Sequence, residues 1–287
     1  MRTIGLCISD THAGFKLGLM NPEVRLYERD EIGNNVEYSP KPTPVQEYFW
    51  ELLLYGCREA REFANGDPIV LMHFGDATHG DRYPKTLVST EIADQPTIAV
   101  ANMEPLFELP NVRSFRLVAG TDAHNFDDAN AEKMIVDRLK LIYPEVNVGF
   151  VMQGLAHIDG IDIEYAHRGP WTGHRFHLKG NVAHQWLRDR MTQELLAGRT
   201  PPRLYGFGHF HEWLFVTETV SIGDMDYTSS LMIVPSFNFP NLWTIAQTQA
   251  KSTYTHGMVA LEIVDGELVG SPRRFTMTTD VRTKEIL

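Results

Sequence analysis

The chain has 287 residues, of which 43% are hydrophobic, and it carries a formal net charge of −11. This hydrophobic content supports a sizeable core and excludes wholesale disorder, and the length suits one large domain or two small ones. The negative charge argues against binding of nucleic acid or anionic membranes by bulk electrostatics. It leaves phosphate esters open as substrates, because bound divalent ions reverse the local field.

Cysteine content and hydropathy bear on the cellular setting. The two cysteines, Cys7 and Cys57, fall in a predicted core strand and a predicted helix, where they are expected to be small buried apolar groups. No secretory leader is visible, and no apolar run approaches the roughly 18 residues needed to span a bilayer. We therefore expect a reducing, cytoplasmic setting and no membrane partner.

Strand and helix patterns alternate in the first part of the chain. A first strand over 4–8 is followed by a long excursion over 13–42, rich in Gly, Pro, Asn and charge. Loops of this length in compact domains are often functional. A helix is then predicted to begin at Thr43, with Pro44 in its first turn and Gln46 at the capping-box position.

The remaining elements follow from apolar periodicity and from glycine and proline positions. Helices are predicted over 85–108, 129–141 and 182–197, and strands over 69–72, 115–118, 146–152, 158–166, 203–205, 212–219, 229–235, 255–264 and 267–276. Asp265-Gly266 between the last two strands is typical of a hairpin turn. The order predicts an α/β fold: one domain over 1–287, built as a two-sheet mixed β-sandwich flanked by helices, with a mostly β part over 212–287.

Aspartate and histidine recur directly after the predicted strands, mostly beside glycine or serine. The five segments concerned are 9–12, 75–79, 120–124, 165–168 and 206–211. Ligands of open α/β sheets bind beyond the carboxyl ends of the strands, so we expect these segments to converge. In an extended chain residues i and i+2 point the same way, so His209 and His211 can both reach one metal centre.

Imidazole and carboxylate side chains suit borderline ions such as Zn, Mn and Fe. The candidate ligands, enough for two ions with one aspartate as a bridge, are Asp10, His12, Asp76, His167, His209 and His211. Two ions about 3.5–4 Å apart can activate a water and hold the oxygens of an in-line phosphoryl transfer. Any one of these residues alone would be interpreted as a turn or surface residue, but the same chemistry at five strand ends favours a metal site.

The order of these motifs resembles that of the calcineurin-like metallophosphoesterases. It runs Asp-x-His, Gly-Asp-x-x-His, Gly-Thr-x-x-His, a single His and Gly-His-x-His, over residues 4–235. The chain is similar to a phage and prophage branch, in which a Lys-Leu-Gly-Leu-Met-like segment, here 16–20, follows the first motif. The resemblance implies the calcineurin-like fold, metal-dependent hydrolysis of phosphoesters, and the cytoplasm of a bacterial or phage-infected cell.

The resemblance also implies a role for each ligand. Asp10, His12 and His211 match the ligands of a first ion, His167 and His209 those of a second, and Asp76 the bridging carboxylate. The third motif departs from the family, which has Asn after Gly and then His as general acid. Here Thr121 and Asp122 stand first, and either can supply the missing oxygen ligand.

Three further residues complete the candidate site. His124, with Asp122 beside it, is interpreted as the catalytic group that protonates the leaving oxygen, because imidazoles exchange protons near neutral pH. Arg168 can hold a phosphate by two parallel hydrogen bonds. His79 is grouped with Arg168 as substrate-binding, although it can equally orient a ligand or occupy a plain turn position.

Three functions are compatible with this set. The first is a phosphatase or phosphodiesterase that uses two divalent ions (Mn, Zn or Fe) and a metal-bound hydroxide as nucleophile. The second is a nuclease of the same fold, which needs a basic rim such as 82–85 and 167–179. The third is a non-catalytic binding or assembly protein that retains the fold. The expected partner is a phosphoester, with nucleotides and nucleic acid included, and the oligomeric state stays open.

Overall fold

In the described part of the chain, two large β-sheets and four α-helices form the body of the protein. The computed structural model describes residues 1–89, 91–124, 131–172, 179–240 and 253–282. In chain order the strands are β1 (Arg2–Ile8), β2 (Leu26–Arg29), β3 (Asn35–Tyr38), β4 (Ile69–His73), β5 (Val112–Val118), β6 (Asn147–Val151), β7 (Gln153–Ile158), β8 (Ile161–Ala166), β9 (Leu204–Phe207), β10 (Leu214–Ile222), β11 (Met225–Ile233), β12 (Thr253–Val264), β13 (Glu267–Leu268) and β14 (Arg273–Asp280). The helices are α1 (Pro44–Ala64), α2 (Asp94–Phe107), α3 (Ala131–Ile142) and α4 (Asn181–Leu196).

The larger sheet has a parallel centre. Strands β1, β4, β5 and β6 lie side by side and parallel, and β12 joins β1 in the antiparallel sense, with β13 and β14 beyond it. The smaller sheet has the order β10-β11-β9-β8-β7, in which β9 is parallel to both of its neighbours. The predicted α/β fold, a mixed two-sheet sandwich flanked by helices, is therefore confirmed.

Side chains alternate between two cores along the central strands, as expected for a strand buried on both faces. In β1, Leu6 and Ile8 pack in the core that includes residues of α1, α2 and α3. Cys7 points the other way, into the core between the two sheets, where Tyr165 and Met232 also lie. A third core joins α4 to the outer face of the smaller sheet. The sandwich is thus covered by helices on both sides.

Four predicted elements differ from the structure. The predicted strand 267–276 is interrupted at 269–272, where Gly270 has a positive φ of 64°, and forms β13 and β14. The predicted strand 158–166 is part of a hairpin, because Asp159 and Gly160 both have a positive φ (42° and 97°) and reverse the chain between β7 and β8. The predicted helix 85–108 begins only at Asp94, because Leu87 pairs with Phe15 and holds the preceding segment against the 13–15 loop. The excursion over 13–42 contains the β2–β3 hairpin.

Several local predictions are confirmed. Asp265-Gly266 forms the turn between β12 and β13. Cys7 and Cys57 are free and buried, and burial raises the pKa of Cys57 to about 12, so both thiols are packing groups.

No helix in the described part of the chain is both long enough and apolar enough to cross a membrane.

The first helix is tied to the loop before it by its N-cap. The Thr43 hydroxyl accepts a hydrogen bond from the Gln46 amide at 3.2 Å and donates to the Lys16 carbonyl at 2.7 Å, and Gln46 Oε1 accepts from the Thr43 amide.

We predict that Thr43→Ala lowers the free energy of unfolding by about 1–2 kcal/mol, measured by urea titration. Glu51→Ala, at an exposed position of the same helix, is the control; equal stability of both variants would contradict the prediction.

Candidate metal centre

The five aspartate- and histidine-bearing segments meet at one edge of the sandwich. Strands β1, β4 and β5 are adjacent and parallel, as are β8 and β9, so their carboxyl ends lie at matching edges. Backbone hydrogen bonds join the segments: the amides of Asp10 and His12 donate to the carbonyls of Gly75 and Asp76, at 3.0 and 3.1 Å. In the smaller sheet, the Gly208 amide donates to the His167 carbonyl at 2.9 Å.

The candidate ligands share an unusual backbone conformation. Asp10, His12, Asp76, His209 and His211 all have a positive φ, between 45° and 71°. This region is uncommon for residues other than glycine, and it concentrates at functional sites. The expectation of an extended chain at the i and i+2 positions is therefore wrong. His209 and His211 belong to different ligand groups, whereas Asp10 and His12, which have the same backbone conformation, belong to one group.

The first group consists of Asp10, His12 and His211, whose nearest ligand atoms all lie within 4.8 Å of one another. Asp10 Oδ1 is 3.1 Å from His211 Nε2 and 3.9 Å from His12 Nε2. Its other oxygen, Oδ2, accepts hydrogen bonds from the Ser9 hydroxyl and from the His209 amide. One carboxylate oxygen is thus anchored by the chain and the other faces two imidazoles.

The second group consists of Asp76, His167 and His209. Asp76 Oδ2 lies 3.0 Å from His167 Nε2, which in turn lies 3.2 Å from His209 Nδ1. His167 Nδ1 is 2.5 Å from the Phe74 carbonyl, which can only accept, so this nitrogen carries a proton. The Nε2 atom therefore has a lone pair that faces a carboxylate, unless a cation or a second proton lies between them.

The loop after β5 brings two of its three candidates to this centre. Thr121 donates its amide and its hydroxyl to Asp76 Oδ1, at 2.6 and 3.1 Å. His124 Nε2 lies 3.8 Å from Asp76 Oδ2, and its Nδ1 lies 2.7 Å from the His79 carbonyl. Asp122 is exposed and belongs to none of the ligand groups found among the described residues.

The two substrate-binding candidates lie in different surroundings. His79 is buried, stacks on Phe15 at 4.0 Å, and its Nδ1 lies 3.3 Å from His12 Nδ1. It forms a further group of possible ligands with His12 and His124. Arg168 is exposed beside His167. Of the suggested basic rim, 82–85 is also exposed at its arginine and lysine, and 173–178 lie outside the described residues.

Burial and mutual charge set the protonation of the centre. Burial would raise the pKa of both carboxyls, but neighbouring imidazoles, His211 for Asp10 and His167 for Asp76, lower it overall. Burial and the charge of His167 lower the pKa of His209 to about 4. Burial also lowers the pKa of His167, but its bond to Asp76 raises it to about 9. Positive charge on His167 is therefore stabilised by Asp76.

These features fit divalent ions. His12 Nε2 is buried without a hydrogen-bond partner, and it faces Asp10, as a metal-binding nitrogen would. Each group offers one carboxylate and two imidazoles, the donor set that borderline ions prefer. The clusters can therefore bind metal ions.

Two residues near the centre were missed by sequence reasoning. His73 ends β4 and is fully buried; it accepts from the Gly75 amide at 3.2 Å, and its Nε2 lies 3.1 Å from the Thr11 hydroxyl. The sequence feature that could have identified His73 is a histidine at the end of an apolar strand. Glu132, in α3, is buried with both carboxylate oxygens lacking a hydrogen-bond partner, and burial raises its pKa to about 7. Only the packing of α3 brings it here.

No family model matches the sequence, and no curated protein matches it either. Solved structures that match include a conserved uncharacterized protein of Streptococcus pneumoniae TIGR4, described as a predicted phosphoesterase. It is 13% identical, with 92% of this chain and 85% of that chain covered and a TM-score of 0.33. Another is the NAD nucleotidase of Haemophilus influenzae, 10% identical over 97% of this chain, with a TM-score of 0.39. The match covers 49% of the nucleotidase, about half of its length.

Protonation of His73 should weaken the fold in acid. Burial lowers its pKa to about 4, so between pH 4 and about 6.5 the unfolded chain binds a proton that the folded chain does not. This contribution to stability is present above pH 6.5 and is lost as the pH falls. We predict that His73→Gln reduces the slope of unfolding free energy against pH in this window, by up to roughly 3 kcal/mol in total. Urea titrations of metal-free protein measure it, with exposed His157→Gln as control; unchanged slopes would contradict the prediction.

Because Gly208 has no side chain, the segment that carries Ser9 and Asp10 can lie directly against it. A Cβ there would collide with Ser9 Oγ and lie 2.8 Å from Asp10 Oδ2. We predict that Gly208→Ala weakens Mn²⁺ binding roughly tenfold or more, measured by calorimetry, because the carboxylate must shift. The control is Gly149→Ala, whose Cβ would meet the flexible side chain of Arg116 at 3.3 Å. Equal Mn²⁺ affinity in the two variants would refute the steric argument.

Proposed function

We propose that the protein is a phosphoester hydrolase, a phosphatase or phosphodiesterase, that uses two divalent ions. The observation that carries this proposal is the pair of ligand groups, Asp10-His12-His211 and Asp76-His167-His209, on segments joined by backbone hydrogen bonds. When bound, two such ions activate a water and stabilise negative charge on a phosphoryl group. The motif order of the calcineurin-like metallophosphoesterases supports the same assignment.

In this proposal Asp76 is the bridging carboxylate. Thr121 holds Asp76 Oδ1 with two hydrogen bonds, which leaves Oδ2 directed at His167 and His124. Thr121 therefore acts by orienting Asp76, rather than as the missing oxygen ligand. His79 is assigned a similar role toward His12, because their Nδ1 atoms are in contact and the ring is buried against Phe15.

His124 is the proposed general acid. Its Nδ1 faces the His79 carbonyl, which accepts only, so the proton on Nδ1 is held there and Nε2 is the atom that can transfer a proton. Nε2 faces Asp76, at the side where a phosphoester would bind, and the ring is only partly exposed. Arg168 is the proposed contact of the substrate phosphate. Asp122, which is exposed, is left out of the catalytic set.

The direct test is Asp76→Asn, assayed on p-nitrophenyl phosphate and bis(p-nitrophenyl) phosphate with added Mn²⁺. Removing the charge of the bridge should cost several kcal/mol of transition-state stabilisation, so we expect kcat/KM to fall roughly a thousandfold. Asp81→Asn, at an exposed position near the centre, should leave the rate unchanged. Retained activity in Asp76→Asn would refute the mechanism.

The same experiment separates the alternatives. Single-stranded DNA in the substrate panel tests the nuclease, and cleavage of DNA without turnover of the small esters would favour it. Measurement of bound metal tests the binding protein: fewer than two ions per chain, with no hydrolysis of any ester, would favour a non-catalytic role. Two ions that are both lost on chelation together with activity support the hydrolase.

A further inference from the structure

A row of aromatic rings leads from the second ligand group to the protein surface. The ring centroids of His167 and His209 are 5.1 Å apart, those of His209 and Phe210 are 5.1 Å apart, and those of Phe210 and Trp171 are 5.3 Å apart. Successive rings are close to perpendicular, at 80°, 75° and 89°. The row begins at a buried imidazole and ends at a tryptophan that is 45% exposed.

The exposure of Trp171 is set by the loop that carries it. Pro170 and Thr172, on either side, are buried. The Thr172 carbonyl accepts from the Gly180 amide at 3.0 Å, and Gly169 lies against the ring of Phe207 so closely that a Cβ would clash. The described residues 169–172 thus hold a large apolar side chain at the surface, in contact with Phe210, which lies next to the candidate ligand His209. Exposed apolar surface that is held in place is typical of a binding site.

We propose that Phe210 and Trp171 form a stacking site for the nucleobase of a nucleoside phosphoester. Aromatic side chains bind bases through their π-faces, with little dependence on sequence. With the phosphate at the ligand groups and Arg168, the base would meet Phe210, whose ring centroid lies 5.1 Å from that of His209, and Trp171 beyond it. Among the described residues, the exposed Tyr27 and Tyr55 are not part of this row. The proposal rests on the proposed hydrolase function for its phosphate position.

Matched substrates test the site, because they differ only in the base. AMP is compared with ribose 5-phosphate, and thymidine 5′-(p-nitrophenyl phosphate) with its abasic counterpart, 1,2-dideoxyribose 5-(p-nitrophenyl phosphate). We expect kcat/KM to be at least about tenfold higher for the nucleoside member of the pair that is turned over, since stacking contributes about 1–3 kcal/mol per base. Equal kcat/KM within each pair would overturn the stacking site and leave the hydrolase function intact.

Variants then assign the preference to Trp171. Trp171→Leu should reduce the ratio of kcat/KM within a pair by about tenfold, whereas Trp171→Phe should restore most of it, because the ring is retained. Tyr55→Leu, on α1, is the control and should leave both rates unchanged. An unchanged ratio in Trp171→Leu would overturn the assignment. Equal ratios in Trp171→Leu and Trp171→Phe would overturn it as well.

A binding measurement tests the stacking site if no ester is turned over. Tryptophan fluorescence of the Mn²⁺-loaded protein is titrated with AMP and with ribose 5-phosphate. Quenching by AMP alone, which disappears in Trp171→Phe, would support the stacking site even without hydrolysis. Absence of any quenching by AMP would overturn it. Failure of the hydrolase function and failure of the stacking site are therefore distinguished.

Discussion

The structure of the candidate centre depends on the burial of two carboxylates, Asp10 and Asp76, at the edge of the sandwich. A buried charge is strongly destabilising unless it is paired and hydrogen-bonded. Each aspartate meets this requirement in the same way: one oxygen accepts hydrogen bonds from the chain, and the other faces imidazole nitrogens. The positions of Ser9, Thr121 and the surrounding histidines follow from this requirement.

The backbone around the carboxylates is shaped by the same requirement. Five candidate ligands adopt left-handed conformations directly after their strands, and several glycines stand where a Cβ would press on a ligand. Gly75, for example, would bring a Cβ within 2.7 Å of His167 Nδ1. Such strain persists because the sheets on both sides, and the backbone hydrogen bonds between the segments, hold the loops in place. A rigid scaffold thus holds the candidate ligands in place.

The third motif, over 120–124, has Thr121 after Gly120, and the contacts of Thr121 explain what this residue does there. The amide and the hydroxyl of Thr121 both donate to Asp76, so both of its donor groups are directed at this carboxylate. The short 3₁₀ turn over 122–124 then places His124 beside the same carboxylate. Our proposal therefore moves Thr121 from ligand to orienting residue and retains His124 as the proton donor. The same loop leaves Asp122 outside the centre, because successive side chains of a tight turn point in different directions.

Local chemistry in the sequence determined the elements that depend on neighbouring residues alone. The capping box of Thr43 and Gln46, the Asp265-Gly266 turn and the order of strands and helices are of this kind, and so is the run of Asp and His after apolar strands. Tertiary structure decided the rest. Leu87 stays out of a helix because it pairs with Phe15, five candidate ligands adopt left-handed conformations where an extended chain was expected, and His73 and Glu132 reach the centre through packing. These outcomes depend on contacts between residues far apart in the chain, and periodicity along one segment carries no information about them.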